Sequence, residues 1–183
     1  MTRSLEEQRE EFARRRFIAM PIAGIIAWSI AGISGAFLPK IYAVWVLFIS
    51  TGSIVYLGIL ISKFTGENFL DKKKDKNEFD TLFIYTVGMA VLVYSIAIPF
   101  FLVDYESLPL TVGILAGLMW VPFSWIVGHW VGIFHTLLRL VLVVAFWYLL
   151  PDSRFVAIPV VIIAVYFATI VILENRWRRL ETG

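Results

Sequence analysis

The feature that most constrains this chain is its alternation of long apolar runs with short clusters of charge. The apolar runs are about twenty residues long, which is the length of helix that crosses a hydrocarbon core of ~30 Å. The sequence contains six such runs, at residues 17–38, 41–62, 81–103, 108–128, 131–150 and 155–173. In lipid every backbone polar group needs an internal partner, so runs of this kind form helices. The sequence therefore predicts an all-α polytopic membrane protein, a bundle of six transmembrane helices in one domain over residues 1–183.

The boundary between the fourth and fifth runs is the least marked. Residues 108–150 form an apolar stretch of 43 residues. A single helix of that size would extend roughly 65 Å at ~1.5 Å per residue, which is far too long for one crossing. We therefore expect a turn near Gly128, His129 and Trp130.

Lysine and arginine residues predict the orientation, because cytoplasmic loops of membrane proteins carry an excess of both. With both termini inside, 13 of the 16 basic residues lie on the cytoplasmic side, namely before the first span, in the loop at 63–80 and after the sixth span. Lys40 and Arg154 lie on the outer side, and Arg139 lies within the fifth span. The distribution predicts a multi-pass protein of the cell membrane with both termini in the cytoplasm.

Residues 4–16 are predicted to form a cytoplasmic N-terminal helix. Ser4 and Glu7 have the spacing of a capping box. We interpret this helix as a solvated extension of the first span. The three arginines at 14–16 are expected to hold anionic lipid headgroups at the cytoplasmic face, at about 1 kcal/mol each. The loop at 63–80 is interpreted as a solvated connector.

Composition excludes several classes of function. The chain has no cysteine, which removes disulfides, thiolate metal sites and cysteine nucleophiles. No Asp or Glu lies in the middle of a span, so the buried carboxylates that proton pumps and aspartyl proteases use are missing. The basic residues flank the spans rather than forming a groove for nucleic acid. We expect no metal, no cofactor and no nucleic-acid partner, and the pattern disfavours a hydrolase.

The first span carries a small residue at every fourth position. These positions, the small-residue ridge, are Ala19, Ala23, Ala27, Ala31 and Gly35. In lipid, where burying apolar surface gains little, such a ridge lets helix backbones approach closely. Two alternatives follow: the ridge packs against other helices of the same chain, or it forms the face of a homodimer.

One charged residue, Arg139, lies deep within a predicted span. Gly132, His135, Thr136 and Arg139 share one face of the fifth helix. An unpaired arginine at the bilayer centre costs at least ~2.5–3.5 kcal/mol, so Arg139 is expected to face the interior and bind a carbonyl, a hydroxyl or an anion. In the alternative, the preceding turn extends to residue 134 and Arg139 snorkels to the cytoplasmic surface.

Other spans place polar or aromatic groups at a similar depth, Trp28 and Tyr166 among them. The predicted ligand-binding residues are Arg139, His135, Thr136, Trp120, Tyr94 and Ser95. An arginine surrounded by hydroxyls and aromatic rings suits a small anion or an anionic lipid, which favours a binding or transport module. Two alternatives remain: a non-catalytic accessory subunit that assembles through the small-residue ridge, and an intramembrane lipid-modifying enzyme with His135 as its acid–base group.

Four stretches of the chain carry a resemblance to a known family. They are "AGIIAWSIAG" in the first span, "ISTGSIVYLGILISK" in the second, "NEFDTLF" at the entry to the third and "GLMWVPFSWIVGH" at the end of the fourth. In this order they resemble an uncharacterised family of small bacterial integral membrane proteins with six helices. The resemblance covers most of the chain and implies a bacterial cytoplasmic membrane. It implies no activity and no catalytic residue.

Overall fold

The computed structural model describes residues 3–69 and 76–182. Within these ranges the chain consists of α-helices and short 3₁₀ turns, which confirms the prediction of an all-α protein. In chain order the helices are α1 (Leu5–Ala13), α2 (Ala19–Phe37), α3 (Lys40–Gly52), α4 (Ile54–Phe64), α5 (Glu78–Leu92), α6 (Tyr94–Val103), α7 (Leu108–Leu115), α8 (Trp120–Val127), α9 (Val131–Leu149) and α10 (Arg154–Thr182).

The described residues include five helical segments long and apolar enough to cross a membrane, or six if α3 and α4 together form one span. The five are Ala19–Phe37, Glu78–Val103, Tyr105–Val127, Val131–Leu149 and Pro151–Thr182. Each overlaps one of the predicted runs, and the chain is a candidate multi-pass membrane protein. The location of the two termini stays a prediction.

The second, third and fourth predicted spans are interrupted partway along. The second bends by 47° between α3 and α4. The third is interrupted at Val93. In the fourth, residues 116–119 form turns instead of helix. At the bend of the second span, the Thr51 hydroxyl donates to the Leu47 carbonyl one turn earlier, at 2.6 Å. Such bonds from a side chain back to its own helix often bend that helix.

The small-residue ridge of α2 faces helices of the same chain. Its four alanines are at most 1% exposed. A Cβ atom at Gly35 would collide with the backbone carbonyl of Phe155 at the start of α10. At Gly35 the backbones of α2 and α10 are thus in close contact. Of the two alternatives, the structure shows packing within the chain, and a homodimer stays a prediction.

Helix α1 is a separate element and not an extension of the first span. Ser4 caps it and forms the predicted capping box with Glu7, but the helix ends at Ala13. Phe17 then adopts a φ of 60°, a left-handed conformation that turns the chain before α2 begins. Phe12 of α1 is buried, with its ring packed on that of Phe17. The interpretation of this helix as an extension of the first span is therefore wrong, although most of its residues are exposed.

Charged segments distant in sequence meet at one end of the bundle. Arg15 pairs with Asp80 of α5, and Arg16 donates two hydrogen bonds of 2.7 and 2.9 Å to Glu174 of α10. The second pair holds the part of α10 that continues beyond the predicted span to Thr182. Both arginines thus bind protein carboxylates, because the N-terminal segment folds back onto the bundle. A contact between residues 14–16 and lipid headgroups stays a prediction.

The opposite end of the bundle carries the two basic residues that the sequence assigns to the outer side. Lys40 of α3 donates to Glu106 at 2.7 Å. The Arg154 guanidinium lies 3.6 Å from the ring centroid of Trp147. The two ends therefore carry the two groups of basic residues that the sequence distinguishes. Which end faces the cytoplasm stays a prediction.

The predicted turn between the fourth and fifth spans is present. Gly128 ends α8 with a φ of 65°, and α9 begins at Val131. His129 lies within this turn, where its Nδ1 accepts a hydrogen bond from the Val131 amide at 3.2 Å. Burial, with the Arg176 charge as a second cause, lowers the pKa of His129.

The predicted loop at 63–80 is described only in part, since residues 70–75 lie outside the described ranges. The described part is not helical between the end of α4 and the start of α5. Asn77 caps α5 by accepting a hydrogen bond from the Phe79 amide at 2.9 Å. Phe69 packs its ring 5.4 Å from that of Phe83. The loop is thus more than a solvated connector.

Glu67, in the same loop, caps the first span from outside. Its carboxylate accepts hydrogen bonds of 2.9 Å from the backbone amides of Ile18 and Ala19, at the start of α2. The N-cap residue of α2, Ile18, supplies no side-chain cap. Burial raises the pKa of Glu67, against the lowering effect of the amide donors. The loop therefore satisfies helix-terminal amides that would otherwise lack a partner.

Candidate functional site

A cavity of about 380 Å³ lies among the interrupted spans. Its inner side is formed by Trp28 of α2, Trp120 of α8 and Tyr166 of α10, which we call the aromatic wall. Tyr56 and Val91 also line the cavity and are exposed, so it opens at the side of the bundle. Its volume falls within the range of about 300–1,000 Å³ of small-molecule sites.

Most of the cavity is lined by aliphatic and aromatic side chains, with a few polar groups. The hydroxyls of Thr51 and Tyr94 lie 2.7 Å apart on its wall. Because Thr51 donates its proton to the Leu47 carbonyl at 2.6 Å, Tyr94 is the donor in this pair. Ser95, predicted as a ligand contact, is exposed on α6 and does not line the cavity. The cavity suits an apolar body.

Arg139 lies behind the aromatic wall, near the middle of α9. It is 1% exposed, so it faces the interior and does not snorkel. Its Nε donates to the Gly113 carbonyl at 2.5 Å, and its Nη1 donates to the Tyr166 hydroxyl at 3.2 Å. Among the described residues, Nη2 has no hydrogen-bond partner and no carboxylate forms an ion pair with the guanidinium.

Two rings of the aromatic wall contact the guanidinium of Arg139. Its Cζ lies 5.5 Å from the ring centroid of Trp28 and 5.6 Å from that of Tyr166. An aromatic face attracts a cation at such distances, and the attraction is stronger where water is excluded. These contacts stabilise the charge in the interior. They also bring a positive charge close to the inner side of the cavity.

The break in the fourth span provides the acceptor for Arg139. In a continuous helix the Gly117 amide would donate to the Gly113 carbonyl, but here it donates to that of Ile114 at 2.9 Å. The Gly113 carbonyl is thereby available to Arg139. Thr136 uses the same break, since its hydroxyl donates to the Gly117 carbonyl at 3.0 Å. A Cβ atom at Gly117 would lie 3.0 Å from Cδ of Arg139, so a glycine there leaves room for the arginine.

His135 lies one helical turn before Arg139. Its ring is 0% exposed and stacks on Trp120 with centroids 4.4 Å apart. Its Nδ1 lies 2.8 Å from the Thr169 hydroxyl, which donates to the Val165 carbonyl at 2.8 Å. Because that hydroxyl has one proton, Nδ1 carries the imidazole proton and Nε2 bears a lone pair. Nε2 is buried and has no hydrogen-bond partner among the described residues.

The structure brings together most, but not all, of the predicted ligand-binding residues. Arg139, His135, Thr136 and Trp120 form one buried cluster, Tyr94 lies on the cavity wall, and Ser95 lies outside both. Sequence reasoning missed Thr169, although its spacing of three from Tyr166 places both on one face of a helix. It also missed the Gly113 carbonyl, which no side-chain pattern signals.

The cluster is a site for charge and hydrogen bonding. Within the ranges that the structure describes, no group of three or more His, Asp or Glu side chains could hold a metal ion. It contains the Arg139 guanidinium, the lone pair on Nε2 of His135 and the hydroxyls of Thr136 and Thr169. The guanidinium suits an anion or a hydrogen-bond acceptor on a ligand, and the imidazole lone pair suits a donor.

Comparison with known proteins relates the chain to a family without an assigned role. Residues 5–176 match a family described as a family of unknown function (DUF7010). No curated protein and no solved structure matches the chain. The matched range contains the whole aromatic wall and the cluster behind it. The comparisons therefore assign no role to the aromatic wall or to the cluster behind it.

Proposed function

The chain belongs to the DUF7010 family of unknown function, and we propose that it is a membrane-embedded binding or transport module for an anion with an apolar body, such as an anionic lipid. One observation carries the proposal. An apolar cavity of about 380 Å³ meets, at its inner wall, two rings that contact a buried guanidinium. That guanidinium has no carboxylate partner among the described residues.

The charge of Arg139 favours an anion over a neutral ligand. Coulomb interactions strengthen as the surrounding dielectric constant falls, so an anion in the cavity gains more from the guanidinium than it would in water. Tyr166 connects the guanidinium to the cavity, since its hydroxyl oxygen accepts a hydrogen bond from Arg139 and the residue lines the cavity. Its own O–H remains available to a ligand oxygen, and the bond from Arg139 makes it a stronger donor.

The interrupted spans support a role in binding or moving an amphiphile. In many transporters, substrate sites near the midplane are formed by helices that are broken there. Here three adjacent spans are interrupted, and all three contribute residues to the cavity wall. The exposed lining residues Tyr56 and Val91 give the cavity a lateral mouth, through which a lipid-like molecule can enter from the bilayer.

The two alternative functions have less support. An accessory subunit that assembles through the small-residue ridge lacks a free surface there, because the four alanines of the ridge are buried within the chain. An enzyme with His135 as acid–base group needs that ring to meet its substrate in the cavity. The ring lies behind Trp120 and is not part of the cavity lining.

The test is native mass spectrometry of the gently purified protein, with the wild type beside the Arg139→Leu variant. We expect the wild type to retain a defined anionic amphiphile and Arg139→Leu to lose it. The variant is expected to fold with somewhat lower stability, because it leaves no described carboxylate unpaired but removes the donor of the Gly113 carbonyl. Its thermal unfolding, measured in the same detergent, checks this.

The matched control is Arg154→Leu, the same substitution at an arginine outside the cavity. It should retain the ligand as the wild type does. Ala90→Phe, which narrows the cavity without touching the arginine, should lose the ligand as Arg139→Leu does. Identical bound masses in wild type and Arg139→Leu would refute the proposal.

A further inference from the structure

We propose that the site binds its anion together with one proton, and that Nε2 of His135 receives this proton. The inference rests on the proposed function and adds the chemistry of its coupling. Two buried atoms carry it: Nε2 of His135 and Nη2 of Arg139, neither of which has a partner among the described residues.

Both atoms belong to side chains that contact one residue of the aromatic wall. The Tyr166 hydroxyl accepts from Nη1 of Arg139 at 3.2 Å, and the His135 ring lies 4.9 Å from the Tyr166 ring, centroid to centroid. His135 and Arg139 are four residues apart on α9, so they share a face of that helix. A ligand group at the Tyr166 hydroxyl is therefore close to both side chains.

His135 is held ready to accept a proton at one nitrogen. Thr169 uses its own proton on the Val165 carbonyl, so it can only accept from Nδ1 of His135. This leaves the lone pair on Nε2. A proton taken up from water there makes imidazolium, whose positive charge lies behind the aromatic wall and attracts an anion in the cavity through that wall. No other bond is made or broken, and the proton returns to water when the ligand leaves.

The charges around His135 link its proton to the anion. Arg139 on α9 and Tyr166 on α10 are the charged or titratable groups that face it within the described structure, and α7 and α8 contain no titratable residue. Without an anion, a proton on His135 adds a second positive charge beside Arg139 at low dielectric. An anion in the cavity, on the other side of the aromatic wall, offsets the charge of Arg139. Anion binding and proton uptake therefore favour each other, and the coupling is reciprocal.

The coupling predicts how affinity depends on pH. One proton bound per anion weakens the anion's binding by up to tenfold for each unit of pH increase. The dependence is confined to the pH range where the anion-bound protein holds the proton and the free protein does not. A ligand site built from Arg139 alone binds a permanent anion with the same affinity throughout this range.

The experiment uses 1-decanesulfonate, which has an apolar chain and a negative charge that does not change with pH. Calorimetry of its binding to the full chain in phosphatidylcholine nanodiscs is repeated in two buffers of different ionisation enthalpy. The difference in heat counts the protons taken up for each anion bound. For the wild type we expect uptake approaching one proton, and a dissociation constant that rises with pH over the same range.

The variant is His135→Asn, whose amide NH₂ replaces Nδ1–H as donor to Thr169 and whose side chain does not titrate. It should bind the sulfonate without proton uptake and without the pH dependence. The matched control is His129→Asn, at the chain's other histidine, which should keep both.

The outcomes separate the two proposals. Sulfonate binding without proton uptake in the wild type overturns the coupling and leaves the proposed function intact. Uptake that persists in His135→Asn overturns it as well. Absence of sulfonate binding overturns the proposed function, and the coupling with it. If His135→Asn fails to fold, the wild-type proton count decides alone.

Discussion

Two sides of this bundle are built differently. On one side α10 packs against α2 and α9, and α9 carries the only arginine within a predicted span. On the other, α3 to α6 belong to interrupted spans and line the cavity together with the aromatic wall. In the apolar stretch of Ala19–Phe37 44% of residues are buried, against 17% in that of Glu78–Val103. The charge of Arg139 thus lies where the helices bury more of their residues, and the cavity lies beside the helices that bury fewer.

The two sides differ in how closely their helix backbones can approach one another. Between membrane helices, close approach of backbones replaces the hydrophobic effect as the source of stability. The small-residue ridge allows that approach on α2. On α5, by contrast, a Cβ atom at Gly88 would meet nothing within 4 Å. The aromatic wall lies between the two sides, so it can couple a ligand to the charge.

The largest expected difference comes from one substitution made on each side. Gly35→Ala places a methyl group against the Phe155 carbonyl and should lower the free energy of unfolding by about 1–3 kcal/mol. Gly88→Ala meets open space and should raise it by about 0.5–1 kcal/mol, because alanine is the better helix former. Unfolding by SDS in mixed micelles measures both. Equal effects would show that the two sides pack alike.

A second comparison concerns hydroxyl groups. Thr136→Val removes a buried hydrogen bond to the broken fourth span and should cost about 1 kcal/mol. Thr51→Val removes the acceptor of Tyr94 at the cavity wall and should cost less, since the cavity lets Tyr94 find another partner. The same SDS titration ranks them. A larger loss from Thr51→Val would mean that the cavity side carries more of the stability.

The smallest expected effect is a pH dependence at the cap of α2. Because burial raises the pKa of Glu67, the folded protein binds this proton more readily than the unfolded chain does. Its contribution to stability is present at low pH and is lost as the pH rises above the ordinary value of 4.5. Glu67→Gln keeps an oxygen acceptor for the two amides, but its side chain does not titrate. The variant should therefore gain stability relative to wild type as the pH rises.

Glu7→Gln provides a control of opposite sign. Hydrogen bonds from Ser4 lower the pKa of Glu7, so its contribution is present at higher pH and is lost on acidification. That variant should lose stability relative to wild type as the pH rises. Thermal unfolding of both variants and the wild type between pH 4 and pH 7 measures these two opposite changes in relative stability. If both variants changed in the same direction, the pH dependence would not come from Glu67.

The sequence by itself determined the all-α class, the approximate positions of the spans and the turn at Gly128. These follow from the thickness of a bilayer, from the need to satisfy every backbone amide and from the cost of charge in hydrocarbon. The same cost favoured an inward-facing Arg139 bound to carbonyls, hydroxyls or an anion, and left an arginine that snorkels to the surface as the alternative. Local rules also predicted the capping box of Ser4 and Glu7.

Only the tertiary structure decided which groups those would be. The Gly113 carbonyl, the aromatic wall and the Glu67 cap depend on how helices distant in sequence are rotated and bent against one another. Hydrophobic periodicity carries little of this information in a membrane protein, because residues that face lipid and residues that face other helices are equally apolar. The separate course of α1 escaped prediction for the same reason, since contacts with distant segments stabilise it. The bend in the second span escaped prediction as well, although the Thr51 hydroxyl at the bend bonds within its own helix.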